Sequence, residues 1–536
     1  MDKFNLVEKP WIPCLMKITG EVELLNLFDT LARAHEVAEI SDSSPLILAS
    51  LHRFLLAVLH SKFKTESYED WKNLWRKKHW EAKKLQEYFD EFKDRFNLFD
   101  DERPFYQYPT VKSSASGDEA KENLLTTLMQ EKASGNNATL FDHSFEANQE
   151  TFPPEVAARY LIARQAFSFS GTGCTYPFGF FNSTLVKGFS VFAIGDNLFE
   201  TLALNLVRYP RKRTFPYRTD DDGNKLDKPF WERDELIQAT EKDSKGTSLH
   251  GYLDYLTWQS RRIKLIRTEN SEKVKSCQLQ QNFKLSEREL FFDPFKVYAE
   301  SKDRKAAKAY YELDLKEDKS LWRDSHAIFQ QANSDDKEWR GLFNHLAEIK
   351  RFIRDGEIEG KPEYAISIFG LINDKAKVFQ WSHERLPLPL AYLQDNELLG
   401  KLEKSIKCAE DFGKVLRDSM MELRKNLNEQ SWNSSIKSVK PQDKYKRESE
   451  LINLFPAASV YWSNLEVKFK EFFSALPEKQ DEAMQKWFGS VEKTAKDAFD
   501  QSVNSLGSSA DDFRAIAKAD KVFDDGRKKL KQEYGL

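Results

Sequence analysis

The C-terminal part of the chain has the hydrophobic spacing of amphipathic helices. From residue 396 onward, apolar side chains such as Leu398, Leu402 and Ile406 follow one another at intervals of three or four residues. A stripe of this period lies along one face of a helix. Similar stripes cover residues 445–476, 481–503 and 510–534. Four such helices in succession predict a four-helix bundle, which we expect to fold as a separate unit.

The last of these helices has a recognisable start. Ser509 precedes its first apolar position, and Asp512 follows three residues later. This spacing resembles a capping box in which aspartate replaces the usual glutamate or glutamine. The pattern therefore predicts a helix that begins directly after Ser509.

The preceding part of the chain mixes both periodicities. Residues 45–60 and 154–169 have helical spacing, residues 21–27 read as a strand, and residues 186–380 read mostly as strands and loops. The patterns together predict an α+β fold. Its large mixed α/β domain covers residues 1–385, and the four-helix bundle covers residues 386–536.

One segment of the mixed domain reads as a β-hairpin. Two strand-like halves, residues 366–369 and 378–381, flank the polar tip Asn373-Asp374-Lys375. Asn and Asp tolerate the backbone of a tight turn, so the tip could simply reverse the chain. It could also present an amide, a carboxylate and an ammonium group to a polar partner. The segment by itself leaves both interpretations open.

The charge balance counts against a protein that binds DNA alone. The 536 residues include 82 Lys and Arg against 86 Asp and Glu, a net charge of −4. Basic residues nevertheless cluster locally between aromatic ones, which suits phosphate contact as well as it suits a solvated face. The candidates for contact with the DNA backbone are Arg208, Arg211, Lys212, Arg213, Arg261 and Arg262.

The sequence offers no catalytic motif. It lacks a phosphate-binding loop, a nucleophile elbow and a zinc-binding pattern, and its four cysteines are widely scattered. Asp142 next to His143 is the one pair that an enzyme could use, but such a pair more often makes a structural hydrogen bond. We therefore expect no enzyme, no cofactor and no metal. The absence of a secretory pattern or a long apolar run predicts a cytoplasmic protein without a membrane segment.

Seven segments, in order along the chain, resemble the CasA family, the large subunit of the type I-E CRISPR surveillance complex Cascade. Each segment alone is a weak signal, but their common order covers most of the chain. The segments are NLVEKPWIPC (5–14), RPFYQ (103–107), NNATLFDH (136–143), SGTGC (170–174), TWQSRRIKL (257–265), GLINDKA (370–376) and YKRESELI (445–452).

The resemblance implies a subunit that recognises the protospacer-adjacent motif on double-stranded DNA and wedges the duplex open to start R-loop formation. Its implied partners are crRNA, target DNA, the backbone, small and guide-end subunits of Cascade, and a helicase-nuclease. The bundle would contact the small subunits and displaced DNA. The alternative is a structural scaffold subunit of another assembly that does not read DNA.

The resemblance also implies roles for particular residues. Gly171 and Gly173 would approach the motif through their backbone, with Lys284 or Arg288 as the cation. Asn373, Asp374 and Lys375 would form the wedge, although the family often has Asn-Gln where this chain has Asp374-Lys375. The guide RNA and subunit anchoring loop would consist of Asn136, Asn137, Thr139, Leu140, Phe141 and His143.

Overall fold

The computed structural model divides the chain into two compact units. The first combines Met1–Glu317 with Ser334–Leu393, and the second combines Asp318–Asn333 with Gln394–Leu536. The structure describes residues 3–113, 117–130, 151–170, 179, 181–208, 218–219, 225–237, 245–270, 272–286, 292–300, 310–316, 319–333, 341–374, 377–427 and 455–536.

The first unit contains helices and short sheets in mixed order. Its helices are α1 (Leu27–Ala32), α2 (Pro45–Phe63), α3 (Tyr68–Lys77), α4 (Ala82–Phe92), α5 (Pro154–Phe167), α6 (Leu198–Asn205), α7 (Tyr252–Leu256) and, after the segment that joins the second unit, α9 (Leu342–Arg354). Its strands are β1 (Ile12–Met16), β2 (Val22–Leu25), β3 (Val37–Ile40), β4 (Asn123–Leu124), β5 (Phe189–Ile194), β6 (Arg261–Arg267), β7 (Val274–Gln281), β8 (Tyr298–Glu300), β9 (Tyr310–Glu312), β10 (Glu363–Asp374) and β11 (Lys377–Pro389).

These strands form four small sheets. Their orders are β2-β1-β3, β11-β10-β5, β4-β7-β6 and β8-β9. All pairings between neighbouring strands are antiparallel. The fold is therefore mixed α+β, as the sequence predicts.

Helix α2 forms the centre of the first unit. Ser44 caps its first turn by accepting a hydrogen bond from the backbone of Ile47, and Pro45 occupies a position where no intrahelical donor is needed. Within the described residues, α2 is the one helix that is long and apolar enough to cross a membrane. Of its most apolar 18-residue stretch, 83% is buried inside the protein. A helix that is apolar on all sides packs in a core, which is where α2 lies.

The second unit contains the predicted helices. They are α10 (Asn396–Leu427), α11 (Ala457–Ala475), α12 (Gln480–Asn504) and α13 (Ala510–Tyr534), together with the short α8 (Ser325–Gln330). Helix α10 packs along α13, and α11 packs along α12. The capping box is present, since Ser509 and Asp512 each bond the other's backbone N–H at 3.1 Å.

Two features of the domain division differ from the sequence prediction. The boundary lies at 393/394 rather than 385/386, because β11 continues to Pro389 and Leu393 is still buried in the first unit. The bundle also includes Asp318–Asn333, which the sequence assigned to the mixed domain. Trp322 in this segment stacks on Phe469 of α11 with ring centroids 4.5 Å apart.

Candidate nucleic-acid interface

The predicted hairpin is present and is longer than the sequence indicated. Strands β10 and β11 pair continuously from Glu363↔Pro389 to Asp374↔Lys377. The register shifts between Ile372 and Asn373, because Ile372 pairs with Gln380 and Asn373 with Val378, which leaves Phe379 out of the pairing. Such a bulge increases the local twist and redirects the strand end. The hairpin therefore bends close to its tip.

The base and the distal half of this hairpin differ in support. Strand β5 pairs with β10 from Ala365 to Gly370 and no further. Beyond Gly370, four residue pairs of β10 and β11 continue as a two-stranded ribbon. At about 3.3 Å per residue, this ribbon extends roughly 13 Å past the three-stranded base. The tip thus projects from a supported sheet.

Side-chain packing fixes the base of the hairpin. The ring of His383 on β11 stacks on Phe369 of β10 with centroids 4.4 Å apart. Arg385 forms an ion pair with Glu39 on β3. A Cβ atom at Gly370 would lie 2.7 Å from Leu315 Cδ1 and 3.0 Å from Phe189 Cβ, so these two side chains pack directly over the glycine. These contacts give the ribbon a rigid support.

The structure places the predicted wedge only in part. Asn373 and Asp374 are the last residues of β10, where their backbones pair with Val378 and Lys377. Their side chains and the whole of Lys375 lie outside the described residues. The wedge assignment therefore remains a prediction from the sequence.

Arg261 does not contact DNA, because its side chain is fully buried. Its guanidinium donates hydrogen bonds to the carbonyl oxygens of Ser260 (2.9 Å), Ser168 (3.3 Å), Phe169 (3.2 Å) and Phe181 (2.8 Å). Burial lowers the pKa of this group well below its ordinary value, and the nearby Arg164 lowers it further. The prediction of a phosphate contact at Arg261 is wrong.

The same correction applies to Arg262, of which 4% is exposed. Its Nε donates to Asn282 Oδ1 at 3.1 Å, and its guanidinium lies 5.9 Å from the ring centroid of Tyr108. A side chain enclosed in this way has no free face for a phosphate. The two arginines at the start of β6 are therefore both internal to the sheet.

Lys284 lies at the same end of the β4-β7-β6 sheet as Arg261. Arg261 begins β6 and pairs with Gln281, the last residue of β7, so Lys284 follows only three residues beyond that pair. Thr247 holds the backbone here by donating its N–H to the carbonyl oxygen of Lys284 at 2.7 Å. The Lys284 side chain is half-buried. The assignment of Lys284 as the cation remains a prediction from the resemblance.

Arg208 follows α6 and is also half-buried. Its guanidinium carbon lies 5.2 Å from the ring centroid of Tyr68. The other predicted site residues lie outside the described residues. They are Asn136, Asn137, Thr139, Leu140, Phe141, His143, Gly171, Gly173, Arg211, Lys212, Arg213, Arg288 and Lys375.

The structure contains little that suggests metal or thiol chemistry. Among the residues that it describes, no group of three or more His, Cys, Asp or Glu side chains could hold a metal ion. Cys14, Cys277 and Cys408 are free and buried, and burial raises the pKa of Cys14 and Cys277 to about 12. A thiol with so high a pKa is a poor nucleophile at neutral pH.

The sequence prediction missed the residues that surround segment 171–180. Gln165 at the end of α5 bonds both backbone groups of Arg261, at 3.0 Å and 2.9 Å. Asn182 Oδ1 accepts the backbone N–H of Ser170 at 2.8 Å. The adjacent polar residues Arg164 and Gln165 in the otherwise apolar segment Leu161–Phe167 were the signal that could have identified this network.

Comparisons with known proteins agree on a protein class. The family model described as CRISPR-associated protein Cse1 matches residues 5–498. A CRISPR-associated protein CasA/Cse1 of Thermus thermophilus is 31% identical over 531 residues, which is 98% of this chain and 97% of the relative. These matches define the class as the large CRISPR-associated proteins of the Cse1 type.

The solved structures extend the likeness to the fold. Thermus thermophilus CasA matches with a TM-score of 0.78 at 26% identity, covering 98% of this chain and 99% of that one. Thermobifida fusca Cse1 matches with a TM-score of 0.76 at 18% identity, covering 99% and 98%. A chain of a CRISPR RNA-guided surveillance complex matches with a TM-score of 0.70 at 19% identity, covering 98% and 99%. The chain belongs to the CasA/Cse1 family, and the resemblance seen in its sequence is confirmed.

Proposed function

We propose that the chain is the large subunit of an RNA-guided CRISPR surveillance complex in the cytoplasm. In this complex it recognises the protospacer-adjacent motif on double-stranded DNA, opens the duplex beside it and helps to recruit a helicase-nuclease. Family membership over residues 5–498 supports the proposal, as does the full-length likeness to a chain of a CRISPR RNA-guided surveillance complex. The proposal gives this chain no catalytic step.

The hairpin of β10 and β11 is the observation that carries the DNA-opening part of the proposal. A wedge must be stiff at its base and slender at its tip, so that it enters the stack without bending away. The three-stranded base ends at Gly370, and a two-stranded ribbon about 13 Å long continues to Asp374. This geometry suits insertion beside the first base pair of the target.

The second supporting feature is the end of the β4-β7-β6 sheet. Arg261 bonds the chain arms that lead into and out of residues 171–180 there, and Lys284 follows three residues beyond Gln281, the strand partner of Arg261. Glycine backbone and one lysine suit the minor groove, whose pattern of acceptors is degenerate and is read loosely. Pairing with crRNA would read the long sequence, so the protein would need to recognise only the short motif.

The net charge of −4 is consistent with a subunit that contacts only a short stretch of DNA while crRNA pairs with the rest of the target. A subunit that other subunits and the crRNA hold in place needs only local cations against DNA. Isolated binding should then be weak, because few phosphates are neutralised. The same proposal assigns an anchoring role to Phe141, because residues 136–143 would bind the chain to its partners.

The proposal is tested by assembling the complex with and without this chain. Binding is measured on duplexes that carry a target complementary to the guide, with the flanking positions either randomised or fixed by selection. We expect selection of a short motif only when the chain is present, and co-elution of the chain with crRNA. A complex that selects the same motif without the chain would favour the scaffold alternative.

A further inference from the structure

Two arms of the first unit lead into and out of residues 171–180. Leu185 N donates to Ala166 O at 2.9 Å, and Ser183 N donates to Ser168 O at 2.8 Å, so the arms run antiparallel. The side chain of Asn182 closes the end of this pairing at Ser170. The ten residues between the arms include Gly171 and Gly173.

Arg261 bonds both arms at once. Its Nη2 donates to Ser168 and Phe169 on the incoming arm and to Phe181 on the outgoing arm. The guanidinium carbon lies 4.7 Å from the ring centroid of Phe181, which adds a stacking contact on the outgoing side. This side chain thereby bonds the two arms to each other in addition to their own backbone pairing.

The start of β6 is itself fixed in place. Gln165 bonds the backbone N–H and carbonyl of Arg261, and Ser260 Oγ donates to the carbonyl oxygen of Gln165 at 2.7 Å. Ser260 Oγ also lies 2.6 Å from Ser183 Oγ on the outgoing arm. Arg261 therefore connects the arms to a position that α5 and β6 define together.

The chemical choice of arginine at this position is informative. A buried cation costs free energy unless it is well bonded, and no described carboxylate forms an ion pair with Arg261. An apolar side chain of similar length would fill the same space without that cost. Nη1 of Arg261 donates to the carbonyl oxygen of Ser260 while Nη2 bonds both arms, and a guanidinium fork offers two such nitrogens where a lysine ammonium offers one.

We propose that Arg261 is a positioning residue for motif recognition, because it fixes the direction in which the chain enters and leaves residues 171–180. The inference rests on the proposed function, in which Gly171 and Gly173 approach the DNA motif through their backbone. Arg261 itself remains buried and touches no DNA. Its effect is on where the glycine backbone stands relative to the groove.

The test compares assembled complexes that contain Arg261→Lys or Arg261→Met with the wild type. The probes are a duplex carrying the motif that the wild-type complex selects and the same duplex with that motif scrambled. We expect the ratio of the two affinities to fall about tenfold or more, within the range typical of one mismatched base pair. Affinity for the scrambled duplex should stay unchanged, because no phosphate contact is lost.

The matched control is Arg262→Lys. Arg262 is the next residue of β6, points to the opposite face and donates to Asn282 Oδ1. This variant should keep the wild-type affinity ratio. Asn182→Ala supplies a second test that spares the core, since Asn182 is half-buried and contributes one bond to the arms. It should lower the ratio by a smaller factor than the Arg261 variants.

The inference is overturned if Arg261→Lys behaves as the wild type, because the fork would then be unnecessary. It is also overturned if the variants weaken both duplexes equally. Should the Arg261 variants fail to fold, Asn182→Ala decides, and an unchanged ratio there refutes the inference. Gly171→Val separates this failure from that of the proposed function. If Gly171→Val makes the two affinities equal while the Arg261 variants do not change their ratio, only the role of Arg261 is refuted. If Gly171→Val also leaves the ratio unchanged, the proposed function fails.

Discussion

Replacing Trp322 with alanine should loosen α11 and α12 of the second unit. The Trp322 side chain is 1% exposed, and it meets Phe469 of α11 at 4.5 Å and Trp487 of α12 at 6.0 Å between ring centroids. A buried tryptophan removes roughly 200 Å² from water, which at about 25 cal/mol per Å² corresponds to about 5 kcal/mol. Substitutions of this kind cost about 3–5 kcal/mol in practice.

Hydrogen exchange of the intact protein is the suitable assay, because a chain with two units need not unfold in a single transition. A loss of about 3–5 kcal/mol corresponds to a fall of about 10²- to 10⁴-fold in the protection of the most stable amides of α11 and α12. Phe513→Ala is the matched control, since Phe513 lies on α13 of the same unit and is 59% exposed. It should change protection by less than tenfold.

One outcome would contradict the prediction for Trp322. If Trp322→Ala lowers the protection of α11 and α12 no more than Phe513→Ala does, Trp322 is not part of this core. The assignment of Asp318–Asn333 to the second unit would then be wrong. The same reasoning predicts that a fragment of residues 386–536 is less stable than the bundle of the intact protein, because it lacks this segment.

Three further predictions concern docking, pH and capping. Phe141→Ala should release the chain from the assembled complex without lowering its melting temperature, as measured by gel filtration and thermal unfolding. Burial lowers the pKa of His60 and His345 to about 3, so the stability of the first unit should fall as pH drops from 6.5 towards 3. Burial raises the pKa of Asp227 to about 7, so its protonation stabilises the fold as pH drops and offsets the effect of one histidine. The free energy of unfolding in urea should therefore fall by a net amount on the order of 1 kcal/mol per pH unit. Ser509→Ala should cost about 1 kcal/mol and reduce exchange protection in the first turn of α13.

Each of these predictions can fail separately. Normal retention of the Phe141→Ala chain in the complex would remove the anchoring role. A urea midpoint that stays constant between pH 7 and pH 5 would mean that the buried histidines do not control acid stability. Unchanged exchange at the start of α13 after Ser509→Ala would show that the capping box contributes little.

Local periodicity was enough to predict the bundle and the hairpin. Helix α10 was predictable because its apolar stripe continues for several turns, and residues such as Leu402 and Phe412 are buried as expected. The hairpin was predictable because two strand-like halves flank a polar tip. Its extra length was not, because Leu371 and Ile372 fit equally well in a strand or beside a turn, and Pro387 and Pro389 at the base count against a strand.

Features that depend on distant contacts could not be predicted in the same way. The segment that contains Trp322 is short and far in sequence from α11, so no pattern connects them. Arg261 could have been assigned to the interior, because it shares its strand face with Ile263 and Leu265. Arg262 could not, since its burial depends on the packing of Tyr108.

The most direct test of the DNA-opening role is a double substitution in the assembled complex, in which both Asp374 and Lys375 are replaced by alanine. Binding is followed over time on an intact duplex and on a target already unpaired beside the motif. Opening one base-pair step costs about 1.4 kcal/mol, so loss of the wedge should slow binding to the duplex about tenfold. Binding to the pre-opened target should stay near the wild-type rate. Equal defects on both targets would contradict the account, since the tip would then be a general contact and not a wedge.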